Sequence, residues 1–451
     1  MTTRGKKATV LLGAGASVPY LKLNGESITT NLITQELTSN WDRWLAVWNQ
    51  FEDTRQKMHD ADSRCDYLGF NDLKSLVTRY ADLLRDDIIF KPGNFEQLVH
   101  LLDKASSYLW YLGANRESEV KDIDSLLIGT VPGSFERAVK SFARETNLHG
   151  WNLAPWIARE VIASIILDAW KDASGIAGVG VNDHSEFLKR MHSEFESVNV
   201  YSLNYDPLAA EAAKMGPDYK TGFLGRSGKF EPSQFLMTGT ACRIAFMHGH
   251  LGFGMKAGGN LVLDYDYRNA QESRIRWGAL ENEVVATFKG TSPKHAIITG
   301  LDKFDVFTRN PFAAYIHCFS QDVLDSDCVV IVGASMGDKH LNVFIHNVLR
   351  FSPKPRYVFV TWLDAESRSK GILPEKLLDF ASITQDWVTA RVSGNHGPGD
   401  AFTANTARFT ESVAKKGYGQ FQNRSIIYCL GSDDFFRTGS VKSILEEFNL
   451  A

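Results

Sequence analysis

Four short apolar runs spread over most of the chain each stop at glycine or a small polar motif. Residues 8–12 lead into Gly13-Ala14-Gly15-Ala16-Ser17, and residues 198–203 into Asn204-Tyr205-Asp206. Residues 244–247 end at His248-Gly249-His250, and residues 329–332 at Gly333-Ala334-Ser335-Met336-Gly337-Asp338. Runs this short, mainly apolar and closed by turn residues, predict strands buried on both faces of a parallel sheet. Residues 296–299 and 357–362 have the same character, and residues 425–430 predict one further short strand. An open parallel sheet binds ligands just beyond the carboxyl ends of its strands. Four such ends can therefore line one site, however distant they are in sequence.

Between the first and second strands the pattern turns helical. Residues 28–37 predict one helix after the glycine loop. Asn94 is placed to cap a helix whose Phe95, Leu98, Val99 and Leu102 share a face. Trp156, Ile157, Val161, Ile165 and Ala169 repeat that spacing, as do Phe187, Leu188, Met191 and Phe195. Pro207 suits the first turn of a helix over 208–215 that Gly216 ends, and Asp338 or a neighbour caps another over 341–349. The glycine-rich stretches 216–243 and 255–260 predict surface loops or lids.

These elements predict an α/β, Rossmann-like parallel sheet with a large helical insertion and a small C-terminal extension. The first part of the sheet domain is 1–40, the insertion 41–195, the second part 196–365, and the α/β extension 366–451. At 451 residues the chain exceeds one ordinary domain. Its 44% hydrophobic and 23% charged residues are those of a globular protein. A net charge of −4 gives no broad basic face for direct binding of nucleic acid. No apolar stretch approaches the roughly 20 residues of a membrane-spanning helix, and the charged start runs straight into a strand. The five cysteines, never closer than ten residues, form neither a zinc ribbon nor a redox pair and suit a reducing cytoplasm.

The strand ends carry the candidate chemistry, and each has a plain alternative. A strand, then Gly13-Ala14-Gly15, then a helix is the geometry that offers backbone N–H groups to a pyrophosphate. Val18 stands where a third glycine of the dinucleotide fingerprint would be, so an ordinary turn is the other reading. Ser17 can bond a phosphate or cap the following helix. Asn204 and Asp206, two apart at a strand end, can point the same way, or serve as turn and cap. His248 is a candidate base, while His248-Gly249-His250 could hold a metal only with a third ligand at a recognisable spacing, and none is present. Asp264 and Asp266 can supply carboxylates or belong to an exposed turn.

Taken in order, these motifs resemble those of the sirtuin-like superfamily: Gly13-Ala14-Gly15-Ala16-Ser17, Leu203-Asn204-Tyr205-Asp206, Met247-His248-Gly249, and Val332 through Asn342. Pro311-Phe312-Ala313-Ala314-Tyr315 and residues 261–267 are similar to the divergent prokaryotic branch found in anti-phage defence systems. The resemblance covers roughly 8–37 and 198–350. Two departures from deacylating sirtuins, the missing zinc-ribbon cysteines and the long block 41–195, agree with that branch.

The resemblance implies hydrolysis of NAD⁺ to nicotinamide and ADP-ribose, with Asn204, His248 and Asp206 catalytic and no zinc. Gly13, Ala14, Gly15 and Ser17 are then expected at the pyrophosphate, Gly333 and Ser335 at the adenosine half, and Asp338 at the adenine ribose or the helix start. It also implies an effector that depletes NAD⁺ in an infected cell, acting as a homo-oligomer with a HerA-type ATPase or a short Argonaute as partner. The alternatives are an NAD-dependent protein deacylase and a sensor that binds NAD⁺ or ADP-ribose without cleaving it.

Overall fold

The computed structural model describes residues 5–22, 32–33, 35–36, 96, 99, 154–224, 230–236, 242–256, 260–263, 297–298, 307, 310–334, 338–352, 354–370, 411–413, 415–416, 418–421, 425–438 and 440–447. Its centre is a seven-stranded sheet built from β1 (Lys7–Leu12), β2 (Ser197–Ser202), β3 (Ile244–Phe246), β6 (Cys328–Val332), β7 (Arg356–Val360), β8 (Tyr418–Phe421) and β9 (Ser425–Tyr428). The order is β3-β2-β1-β6-β7-β9-β8. Six strands run parallel, and only β8 at the edge is antiparallel, to β9. Val10 pairs with Val200 on one side and Val330 on the other, and all three side chains are buried. That burial is why the strands are rich in Val, Ile and Leu, and the polar residues within them, Thr9, Ser197, Asn199 and Ser202, are buried as well. The fold is α/β and Rossmann-like, with its switch point between β1 and β6, where the order reverses.

Two groups of helices flank the sheet. In the first are α1 (Val18–Leu21), α2 (Ala154–Asp172), α3 (Ser174–Glu194), α4 (Leu208–Lys214), and, from the C-terminal segment, α9 (Ser432–Thr438) and α10 (Ser440–Glu447). The long α3 is the hub of this group and touches each of the others. Its Phe187 meets Phe435 and Phe436 at 5.6 and 4.9 Å, and its Asp183 accepts hydrogen bonds from Tyr20 and Arg437. His184, fully buried on α3, packs on Phe436 at 4.4 Å and holds the Gly180 carbonyl through Nδ1. The second group comprises α5 (Pro232–Leu236), α6 (Phe312–Asp325) and α7 (Lys339–Phe351), with α6 lying across β1 and β3. Tyr201 of β2 meets Phe319 of α6 at 5.0 Å and donates to Asp322, which also pairs with Arg243. A short α8 (Ala365–Lys370) follows β7.

Several expectations are sharpened here. The C-terminal segment supplies β9 as the sixth parallel strand, so it is continuous with the main sheet. Helices over 28–37 and after Asn94 are seen only at residues 32–33, 35–36, 96 and 99; the rest of both, and most of 41–195, lie outside the described residues. Residues 255–260 are not simply a loop. β4 (Phe253–Lys256) and β5 (Asn260–Leu263) form an antiparallel hairpin whose strands reach into that stretch. Residues 297–298 do not enter the sheet; Ile297 forms an isolated antiparallel bridge with Gly249. Its apolar character reflects burial beneath the β3 end rather than a strand position. Asp264 and Asp266 lie outside the described residues.

Candidate functional site

The first strand end is tightly bound to the fourth. After β1, Gly13 opens a single 3₁₀ turn, Ala14–Ala16, and the chain enters α1. The Gly13 N–H donates to the Val332 carbonyl and the Gly15 N–H to the Gly333 carbonyl, each at 2.8 Å. The N–H groups of Ala16 and Ser17 donate back to Gly13 and Ala14, both at 2.9 Å. Of the amides expected to face a pyrophosphate, only that of Ala14 bonds nothing among the described residues. The glycines are needed for close backbone approach of the two loops. A Cβ on Gly13 would stand 2.5 Å from the Ala334 Cα, and one on Gly15 2.8 Å from the Gly333 Cα. The positive φ belongs to Gly333, at 63°.

Asn204 and Asp206 do point the same way, and both meet Ser17. The Asn204 side-chain amide donates to the Gly13 carbonyl at 2.9 Å and to Ser17 Oγ at 2.8 Å. Those acceptors fix which end is nitrogen and leave Oδ1 buried with no hydrogen-bond partner among the described residues. The residue is 7% exposed, and Ser17 only 2%. Asp206 Oδ1 accepts the Leu208 N–H at 3.0 Å, so this carboxylate does the work of starting α4. Burial pushes the Asp206 carboxyl above its ordinary range, while the Ser17 hydroxyl and the Leu208 N–H pull it back. Ser17, expected at a phosphate or as a cap, stands at the N-cap position of α1 without a side-chain cap bond, and its hydroxyl joins Asn204 to Asp206.

His248 follows β3, immediately before Gly249 at φ 84°. Its carbonyl accepts the Ile298 N–H at 2.6 Å, and its ring lies 6.3 Å from that of Tyr205. Nε2 is 2.7 Å from Asp338 Oδ2, with both side chains about nine-tenths buried. The other Asp338 oxygen accepts the N–H groups of His340 and Leu341, so Asp338 is the N-cap of α7. Of the two positions expected for Asp338, it occupies the helix start. Its bond to a histidine 90 positions away has no local signature in sequence. His250 is separate: wholly buried between Phe246 and Phe253, it accepts the Gly252 N–H through Nδ1. Among the described residues no three His, Cys, Asp or Glu side chains gather as metal ligands. Ser335 lies outside the described residues.

A further strand end joins the site unannounced. After β9, Gly431 takes φ 100° and Ser432 Oγ donates to the Gly15 carbonyl at 2.8 Å. The signal was present, since an apolar run ending in Gly431-Ser432 has the form of the four motifs singled out. At the end of β7, Trp362 is 67% exposed beside Gly431 and offers an open indole.

The fold and these strand ends define a Rossmann-like α/β protein with a buried Asn, a carboxylate-held His and glycine loops at its switch point. No protein-family model and no curated protein matches the chain. Among the described residues no helix is long and apolar enough to cross a membrane.

Proposed function

We propose that this protein is an NAD⁺ hydrolase of the sirtuin-like superfamily, releasing nicotinamide and ADP-ribose. The observation that carries this reading is the Asn204 side chain, locked by Gly13 and Ser17 with a buried acceptor, Oδ1, left unsatisfied. Leaving such an atom unpaired costs about 1–3 kcal/mol, which a ligand hydroxyl or a water would recover. Nicotinamide departs from NAD⁺ as a neutral molecule and needs no general acid. The remaining requirements are a held ribose, a stabilised oxocarbenium-like centre and an activated water. Asn204 Oδ1 accepts from a ribose hydroxyl or the water, and His248 takes the proton. Asp206, its Oδ1 occupied by Leu208, acts through Ser17 to hold Asn204 and supplies negative charge nearby. Gly333 and the Trp362 indole suit the adenosine half, the indole by stacking.

The biological role that fits is a cytoplasmic effector of bacterial anti-phage defence, homo-oligomeric and switched on through a partner such as a HerA-type ATPase or a short Argonaute. The test is to challenge cells carrying the gene and its neighbours with phage and follow NAD⁺, nicotinamide and ADP-ribose. Wild-type cells should lose NAD⁺ with both products appearing, and Asn204→Ala or His248→Ala should prevent it. Protection with NAD⁺ intact would overturn the hydrolase. Consumption of NAD⁺ only with an acetyl-lysine peptide would mark a deacylase, and saturable binding without nicotinamide release a sensor.

A further inference from the structure

The contact between Asp338 and His248 joins the connections of two strands that stand three places apart in the sheet. At ordinary strand spacing that is about 14 Å, so the contact draws the two connections together over the carboxyl ends of β1 and β2. Asp338 divides its carboxylate between two tasks. Oδ1 satisfies the first amides of α7, and Oδ2 lies 2.7 Å from His248 Nε2. Capping needs one oxygen only, and Ser or Asn performs it about as well as Asp. The second oxygen is therefore surplus to the helix. A nitrogen bonded to a carboxylate must carry the proton, which leaves the lone pair of neutral His248 on Nδ1.

We propose that Asp338 is a positioning residue for His248: it holds the imidazole as the Nε2–H tautomer, makes Nδ1 the proton acceptor, and stabilises the imidazolium formed when the water is deprotonated. This rests on the hydrolase reading of Asn204 and His248. The proton passes from the attacking water to Nδ1 as its oxygen bonds C1′ and the glycosidic bond electrons leave with neutral nicotinamide. Asp338 gives up and receives no proton. Because the same carboxylate starts α7, the seat of that helix and the orientation of the base are set by one side chain.

Asp338→Asn is the decisive variant, since Asn still caps α7. With its oxygen at the cap, its amide NH₂ faces His248 Nε2 and imposes the opposite tautomer. Long-range ¹⁵N–¹H spectra of the histidine-labelled full chain, with the His248 signals assigned by their loss in His248→Gln, read the tautomer without any turnover. Nicotinamide release at varied NAD⁺ gives kcat and KM. The expected result is Nε2–H in wild type and Nδ1–H in Asp338→Asn, with kcat lower by about 10²–10⁴-fold and KM little changed. Asp338→Ser, which caps without a second oxygen, should also lose kcat while melting near wild type. An unchanged tautomer in Asp338→Asn, or unchanged kcat in either variant of an active enzyme, overturns the proposal alone. A triggered wild type that releases no nicotinamide overturns the hydrolase reading itself, and the positioning role with it.

Discussion

Gly333 presses its backbone onto Gly15: the Gly15 N–H donates to the Gly333 carbonyl at 2.8 Å, and a Cβ on Gly333 would stand 2.6 Å from the Gly15 Cα. With φ at 63°, Gly333 is also in a conformation that other residues rarely take. Gly333→Ala should therefore lower stability by about 2 kcal/mol or more, read as a fall in thermal midpoint. Gly15→Val should be destabilising for the same contact, so a loss of NAD⁺ affinity in that variant reports the loop junction as well as the ligand. A Gly333→Ala protein as stable as wild type would show that the two loops yield easily.

Asn204 is held as a donor, and its replacements should rank accordingly. Asn204→Ala loses the bonds to Gly13 and Ser17 and should cost about 1–3 kcal/mol in urea unfolding, together with all NAD⁺ cleavage. Asn204→Asp is nearly the same shape but sets a carboxylate against the Gly13 carbonyl. It should be less stable at pH 7 than Asn204→Ala. The reverse order would mean the amide is not fixed as the structure has it.

Asp206 should make the protein less stable as pH rises. Its folded pKa is raised above the unfolded one, chiefly by burial. The folded form therefore binds the proton more tightly, and stability present at the acid end is lost as pH climbs from about 4 through the raised value. Asp206→Asn keeps the acceptor for Leu208 and removes the charge. Its thermal midpoint relative to wild type should rise between pH 4 and pH 7, while NAD⁺ cleavage falls. A difference that stays flat across that range would mean the carboxylate is well solvated.

His184 should act in the opposite direction. Burial against Phe436 lowers its pKa to about 4, below the ordinary histidine value. The unfolded chain then binds the proton more readily, so stability is full above about pH 6.5 and lost as pH falls towards 4. His184→Leu cannot become charged and should lose less stability than wild type between pH 7 and pH 4.5 in denaturant titrations. Parallel losses in both proteins would assign the acid sensitivity elsewhere.

Burial made the sheet legible. Strands covered on both faces are mostly apolar, and turn residues close them, so β1, β2, β3, β6, β7 and β9 stand out as short, mainly apolar runs. Alternating or glycine-rich pieces were harder. The β4–β5 segment reads as a loop because Ala257-Gly258-Gly259 interrupts it in sequence, and residues 296–299 read as a strand because burial alone makes a segment apolar. Ser17 and Asp338 were each singled out without their true partners, since a hydroxyl or carboxylate at a loop end looks the same whether it serves a ligand, a helix or another side chain.

The sequence by itself determined the α/β class and which polar residues, Asn204, Asp206, His248 and Asp338 among them, stand beyond the strand ends, because backbone burial and turn geometry are local demands written in residue type. Only the tertiary structure decided the order β3-β2-β1-β6-β7-β9, the closure of Gly15 on Gly333, the Asn204–Ser17–Asp206 cluster and the Asp338–His248 bond. Each of these joins groups from different strand ends. Hydrogen bonding acts over about 3 Å, and only the packing of the whole sheet brings such distant segments within that reach.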